Sequence, residues 1–202
     1  MTDPDPVINK LLKSTNGALL DERIKLIYIE DFLTDLECDH LVGLAYDIMF
    51  ERSVTTYGVN DNRTSTSAYI AKDYDEIIKK ITSKVSQLTE TGQELVEQFQ
   101  IVKYEIGQKF GSHWDYFPTE YVKKNGGKQR LYTFFVYLNT VDTGGETEFT
   151  QLGLEFKPKK RAALFWENCT NDKIGNVLSM HQGKAPISDL KFGLNIWTNF
   201  KD

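Results

Sequence analysis

From Phe99 to Phe200 the chain alternates short runs rich in β-branched and aromatic residues with turns built on Gly, Pro, Asn and Asp, and this punctuation constrains the fold more than any other feature. The runs are FQIVKYEI, RLYTFFVYLN, GLEF, RAALFW, NVLSMH and KFGLNIWTNF. Such segments read as strands, and strands this short bury apolar surface only against a second sheet or by closing on themselves. Upstream the period changes. Ile77, Ile78, Ile81, Val85 and Leu88 recur with helical spacing between Tyr74 and Leu88. A helix is also expected after Ile24–Phe32, a strand-like run, with Thr34 as N-cap, Glu37 closing a capping box, and Leu36, Leu41, Leu44, Ala45 and Ile48 as its apolar face. Two helices followed by about seven strands imply a mainly β chain with flanking helices: a double-stranded β-helix, or jelly roll, with helices packed on one face.

With 202 residues, 40% of them hydrophobic, one core is expected. Residues 1–22 are polar around one apolar cluster (Val7, Ile8, Leu11, Leu12) and read as a mobile or loosely docked N-terminal arm with room for one helix, leaving 23–202 as a single domain. Between Glu51 and Ile70, Asn, Thr, Ser and Gly predict short strands joined by an exposed loop around Gly58–Ser65. The 24 Lys and Arg against 29 Asp and Glu give a net charge of −5 with no basic run, which argues against a nucleic-acid partner. Cys38 and Cys169 are too few for a disulfide framework. No apolar run is long enough to span a membrane and MTDPDPVINK is no secretion signal, so the expectation is a cytoplasmic protein without membrane attachment.

Only three histidines are available for any imidazole chemistry: His40, His113 and His181. His113-Trp114-Asp115 sets an imidazole and a carboxylate two residues apart, on one side of an extended segment. His181, ending NVLSMH, is the natural third donor, since His40 lies inside the first expected helix. Two histidines and a carboxylate suit non-heme Fe(II) with three positions left open. They also suit a hydrolytic zinc, and the spacing alone is compatible with a surface His–Asp pair.

The last strand adds a second observation. Its alternation sends Phe192, Leu194 and Ile196 to one face, toward the helices, and Lys191, Asn195 and Trp197 to the interior. A lysine inside a barrel is costly without an anion. A dicarboxylate such as 2-oxoglutarate would offer one carboxylate to Lys191 and chelate a metal with its 2-oxo acid end; the alternative is a lysine at the strand start reaching back to water.

The segments YIEDFLTDLEC, YEIGQKFGSHWDYF, GGKQRLYTFFVYLNTVDTGGETEF, KPKKRAALFW and HQGKAPISDLKFGLNIW together resemble the prolyl 4-hydroxylase family of Fe(II)/2-oxoglutarate-dependent dioxygenases, from about Ile27 to Phe200. The resemblance implies His113, Asp115 and His181 as iron ligands and Lys191 as the partner of the distal carboxylate of 2-oxoglutarate. Tyr104 and Thr147 would also contact 2-oxoglutarate, while Arg130 and Trp197 would meet the substrate. The implied reaction hydroxylates peptidyl proline with O₂, yielding succinate and CO₂, with ascorbate as reductant and a proline-containing peptide or protein as partner. At Phe110 the family often carries a tyrosine, which leaves the target open: another residue, or a free amino acid. A silent module that grips proline-rich peptides is the rival outside enzymology.

Overall fold

The computed structural model describes residues 5–56, 58–124 and 126–201. Residues 1–4 of the expected arm, together with Tyr57, Asn125 and Asp202, lie outside them. In chain order the regular elements are α1 (Pro6–Ser14), β1 (Gly17–Asp21), β2 (Leu26–Ile29), α2 (Asp35–Ile48), β3 (Glu51–Arg52), β4 (Thr66–Ile70), α3 (Glu76–Thr89), β5 (Phe99–Tyr104), β6 (Phe110–His113), α4 (Thr119–Lys124), β7 (Arg130–Tyr137), β8 (Thr147–Phe149), β9 (Leu154–Phe156), β10 (Ala163–Glu167), β11 (His181–Gly183) and β12 (Lys191–Asn199). Eight strands form one sheet in the order β1-β2-β10-β7-β12-β5-β4-β3; the other four form a second, β6-β11-β8-β9, and every pairing is antiparallel.

The period of two decides which residues hold this together. In β7, Tyr132, Phe134 and Val136 face outward onto the helices, in one apolar cluster with Phe192, Leu194 and Ile196 of β12, Leu41 of α2 and Ile78, Ile81 and Val85 of α3. Phe135 and Tyr137 face inward and cluster with Val102, Tyr104, Phe149 and Trp166 between the two sheets. Gly193 is required by this inner packing, because a Cβ there would stand 2.4 Å from the Phe135 ring. The expected jelly-roll core with helices on one face is therefore present, and the last strand divides its side chains as its alternation indicates.

The expected helices are α2 and α3. Thr34 and Glu37 make both bonds of the capping box on α2, and Asp75 caps α3 through the Ile78 N–H. His40 of α2 bonds that same Asp75 at 2.7 Å and so ties the two helices together. Cys38 and Cys169 are buried free thiols.

Three local readings change. Residues 6–21 are built into the fold: α1 packs its Val7 and Leu11 into the helix-side core, Leu11 with no exposed surface, and β1 forms the edge of the large sheet. The segment NVLSMH is not a strand along its length. Asn176 caps a 3₁₀ turn over Val177–Ser179, and β11 starts only at His181. Finally, the loop around Gly58–Ser65 is exposed at its tip only, since Arg63 and Ser65 are buried against the sheet. Among the described residues no helix is long and apolar enough to cross a membrane.

Candidate functional site

Strands β6 and β11 pair so that His113 stands opposite His181, and Asp115 follows β6 by two residues. Ligand atoms of these three side chains all lie within 4.8 Å of one another. His113 Nε2 is 3.8 Å and His181 Nε2 4.0 Å from the same oxygen, Asp115 Oδ1. On the far side of each ring, Nδ1 meets a backbone carbonyl two residues upstream, Gly111 O at 2.8 Å and Ser179 O at 2.9 Å. A carbonyl only accepts, so each Nδ1 carries a proton, and each ring turns its Nε2 toward Asp115 Oδ1. The second carboxylate oxygen, Oδ2, is occupied by Thr133 Oγ1 at 2.8 Å and Trp197 Nε1 at 3.0 Å.

Electrostatics put His113 and Asp115 in the states a cation requires. Burial, helped by the neighbouring His181, holds His113 well below the ordinary histidine range, which keeps its imidazole neutral. Burial pushes the Asp115 carboxyl up, but His181, His113, Arg130 and the Trp197 N–H outweigh it and pull it down to about 2. A neutral imidazole and an ionised carboxylate are metal-binding forms. Packing fixes the rings: Phe110 stacks on His113 with centroids 3.5 Å apart, and Trp166 meets His181 edge-on at 4.7 Å.

The triad opens into a cavity of about 640 Å³ between the two sheets. Lys191, only 1% exposed, reaches into it from β12, directly across the ladder from Tyr104 of β5. Its Nζ has no hydrogen-bond partner. It sits 5.2, 5.1 and 5.6 Å from the ring centres of Tyr104, Phe135 and Tyr137, and burial lowers its pKa to about 7. Space is kept free beside it: a Cβ added at Gly183 would stand 3.9 Å from Nζ and 3.4 Å from the Tyr104 hydroxyl. An orphaned ammonium facing a glycine-lined space, in one cavity with a His/His/Asp donor set, fits a metal-chelating dianion.

The remaining residues singled out from sequence also line this cavity. Thr147 opens β8 beside Gly183, its partner in the β8–β11 pairing. Arg130 is no solvated loop charge: it forks onto Glu97 at 3.0 and 2.9 Å and lies 3.5 Å over the Trp197 ring. Sequence reasoning missed Arg63. This buried guanidinium covers the Phe110 ring at 4.5 Å and bonds Gln100 Oε1 at 3.2 Å and Val54 O at 3.1 Å. It lies in a polar, aperiodic stretch, so no alternation marks it as inward.

Comparison with known proteins bears on this arrangement. A family model described as the 2OG-Fe(II) oxygenase superfamily matches residues 99–199, the span that carries the triad and Lys191. Prolyl 4-hydroxylase 2 of Arabidopsis thaliana is 34% identical, the alignment covering 98% of this chain and 73% of that protein. Prolyl 4-hydroxylase 5 of the same plant is 33% identical over 86% of this chain and 67% of its own. Among solved structures, the viral collagen prolyl hydroxylase of Paramecium bursaria Chlorella virus-1 in its 2OG complex superposes with a TM-score of 0.72 at 26% identity, covering 87% of this chain and 96% of that one. By its matched segment, its relatives and its His113/Asp115/His181 triad, the chain belongs to the 2OG-Fe(II) oxygenase superfamily.

Proposed function

We propose that this chain hydroxylates prolyl residues of a peptide or protein, using Fe(II), 2-oxoglutarate and O₂. The observation that carries the reading is the one cavity in which two imidazole Nε2 atoms and Asp115 Oδ1 converge while the unpartnered Lys191 ammonium waits for an anion. Iron(II) at the triad would supply the O₂ chemistry that oxidises 2-oxoglutarate to succinate and CO₂ and places one oxygen atom on the target C–H.

The chain's own part is binding and orientation. His113, Asp115 and His181 present three donors from one side, which leaves the cavity side free. Lys191 takes the distal carboxylate, exchanging an orphaned cation for a charge-assisted pair. Tyr104 and Thr147 flank that carboxylate. Arg130, held by Glu97 and stacked on Trp197, gives the peptide side a fixed cationic and aromatic wall. The relatives named as prolyl 4-hydroxylases support proline as the target. Phe110 lines the same cavity without a hydroxyl to offer, which keeps hydroxylation of another residue as the second reading.

The test is anaerobic loading with Fe(II), addition of 2-oxoglutarate, O₂, ascorbate and a panel of proline-containing peptides, and mass spectrometry of the products. The expected outcome is one added oxygen atom on proline with an equivalent of succinate, both lost in His113→Ala. Oxygen found on another residue type would move the assignment to the second reading. Equal turnover in His113→Ala would end the enzymatic one.

A further inference from the structure

Asp115 Oδ2 is the end of a chain of buried hydrogen bonds that the triad alone does not require. Trp166 Nε1 donates to Asn168 Oδ1 at 2.9 Å, Asn168 Nδ2 donates to Thr133 Oγ1 at 2.8 Å, and Thr133 Oγ1 donates to Asp115 Oδ2 at 2.8 Å. Trp166, Asn168 and Thr133 have at most 1% of their surface exposed. The sheet makes the chain possible: Thr133 of β7 is the ladder partner of Trp166 on β10 and of Trp197 on β12, which sets two indoles and one hydroxyl in a row on the inner face.

The direction of the chain follows from its first member. An indole N–H can only donate. Asn168 must therefore turn its carbonyl oxygen to Trp166 and its amide N–H to Thr133. With one lone pair of Thr133 taken by that N–H, its hydroxyl hydrogen points to Asp115. The Asn168 backbone is pinned as well, its N–H donating to Leu131 O at 2.7 Å and its carbonyl accepting from Asn176 N at 2.8 Å. Together with Trp197 Nε1, Thr133 loads Oδ2 with two donors. Oδ1 receives none and faces the two imidazoles.

We infer that Trp166, Asn168 and Thr133 form a positioning relay that makes Asp115 a one-oxygen metal ligand, holding Oδ2 away from the cation. The inference rests on the triad being the iron site. A carboxylate freed of those donors can swing to bind through both oxygens, which consumes a coordination position that the cosubstrate or O₂ needs. The relay acts through Asp115 and touches no reactant.

The test measures metal binding by the full chain without turnover, using Co(II) under anaerobic conditions, with calorimetry for affinity and the visible absorption band for coordination geometry. Thr133→Val removes the hydroxyl at nearly constant shape. Asn168→Asp leaves a carboxylate that accepts from both Trp166 and Thr133, so the Thr133 hydrogen is drawn away from Asp115. Each is expected to weaken Co(II) binding by about 10- to 100-fold and to change the band, while Thr133→Ser restores both. Thermal melting of the metal-free proteins separates misfolding from loss of positioning. The double variant Thr133→Val/Asn168→Asp is expected to lose little beyond Thr133→Val, because Asn168 acts through Thr133. Wild-type-like affinity and spectrum in both folded single variants would overturn the relay while leaving the iron site standing. Wild-type protein whose Co(II) binding is the same as that of His113→Ala would overturn the site and the relay together.

Discussion

Lys191 shows at the scale of one residue how a cost to the fold becomes a binding device. Burial pulls its pKa to about 7, so near neutrality the free protein holds a mixture of ammonium and amine. Only the ammonium pairs with a carboxylate, so a bound dianion raises the lysine pKa again. The sign follows: above pH 7, 2-oxoglutarate binding takes up a proton and its affinity falls by up to about tenfold per pH unit. Calorimetry in buffers of different ionisation enthalpy checks the uptake. Lys191→Met is expected to abolish this linkage and to weaken 2-oxoglutarate binding by about 2–5 kcal/mol, with Co(II) affinity kept. This residue was legible in the sequence because β12 alternates strictly, which set Lys191, Asn195 and Trp197 on the face opposite Phe192, Leu194 and Ile196. The HxD spacing was legible for the same reason. Arg63 and Asn168 were not, since each stands outside a periodic run and is drawn inward by partners distant in sequence: Gln100 for the one, Thr133 for the other.

At the scale of elements, strong periodicity and cap chemistry located α2, α3, β5, β7 and β12, whereas β6, β8 and β11 are three or four residues long. Strands that short carry at most two full alternations, and their pairing with one another, not their composition, makes them strands. That His113 opposes His181 is thus a tertiary fact. The first helix was hard to read for another reason. Its nine residues carry four apolar positions, Val7, Ile8, Leu11 and Leu12, but make too short a helix to stand alone, and its stability comes from docking. Leu11→Ala is expected to cost about 2–5 kcal/mol of folding stability, read as a lower denaturant midpoint. An unchanged midpoint would restore the view of residues 6–14 as a loosely held arm.

At the scale of the whole molecule, carboxylates set the acid limit. Asp21 is held low by its bond with Arg23. Asp75 is held low despite burial by the Ile78 N–H and His40, and Glu148 by Gln182 and Lys184. A lowered folded-state pKa contributes stability that is present above the unfolded value and lost as pH falls through the folded one. Glu167 runs the other way, since burial raises it against the pull of Lys25. The stability of the metal-free protein is therefore expected to decline from about pH 6.5 downward, first because the unfolded chain protonates the imidazole that burial keeps neutral at His113, and then more steeply below about pH 4 as these carboxylates are protonated. Chemical denaturation across that range checks it, and high salt should shrink the part of the decline that these pairs cause, because they are only partly buried.

The two faces of the large sheet have a consequence for how such a chain can change over time. In β7 and β12 the letters that hold the helices and the letters that shape the cavity alternate one by one. Inserting or deleting a single residue in either strand would exchange the two sets, sending Thr133 and Lys191 toward the helices and phenylalanines into the cavity. A change of length is therefore expected to be tolerated in connections such as the stretch around α4, while the strands admit replacement of letters but no change of count.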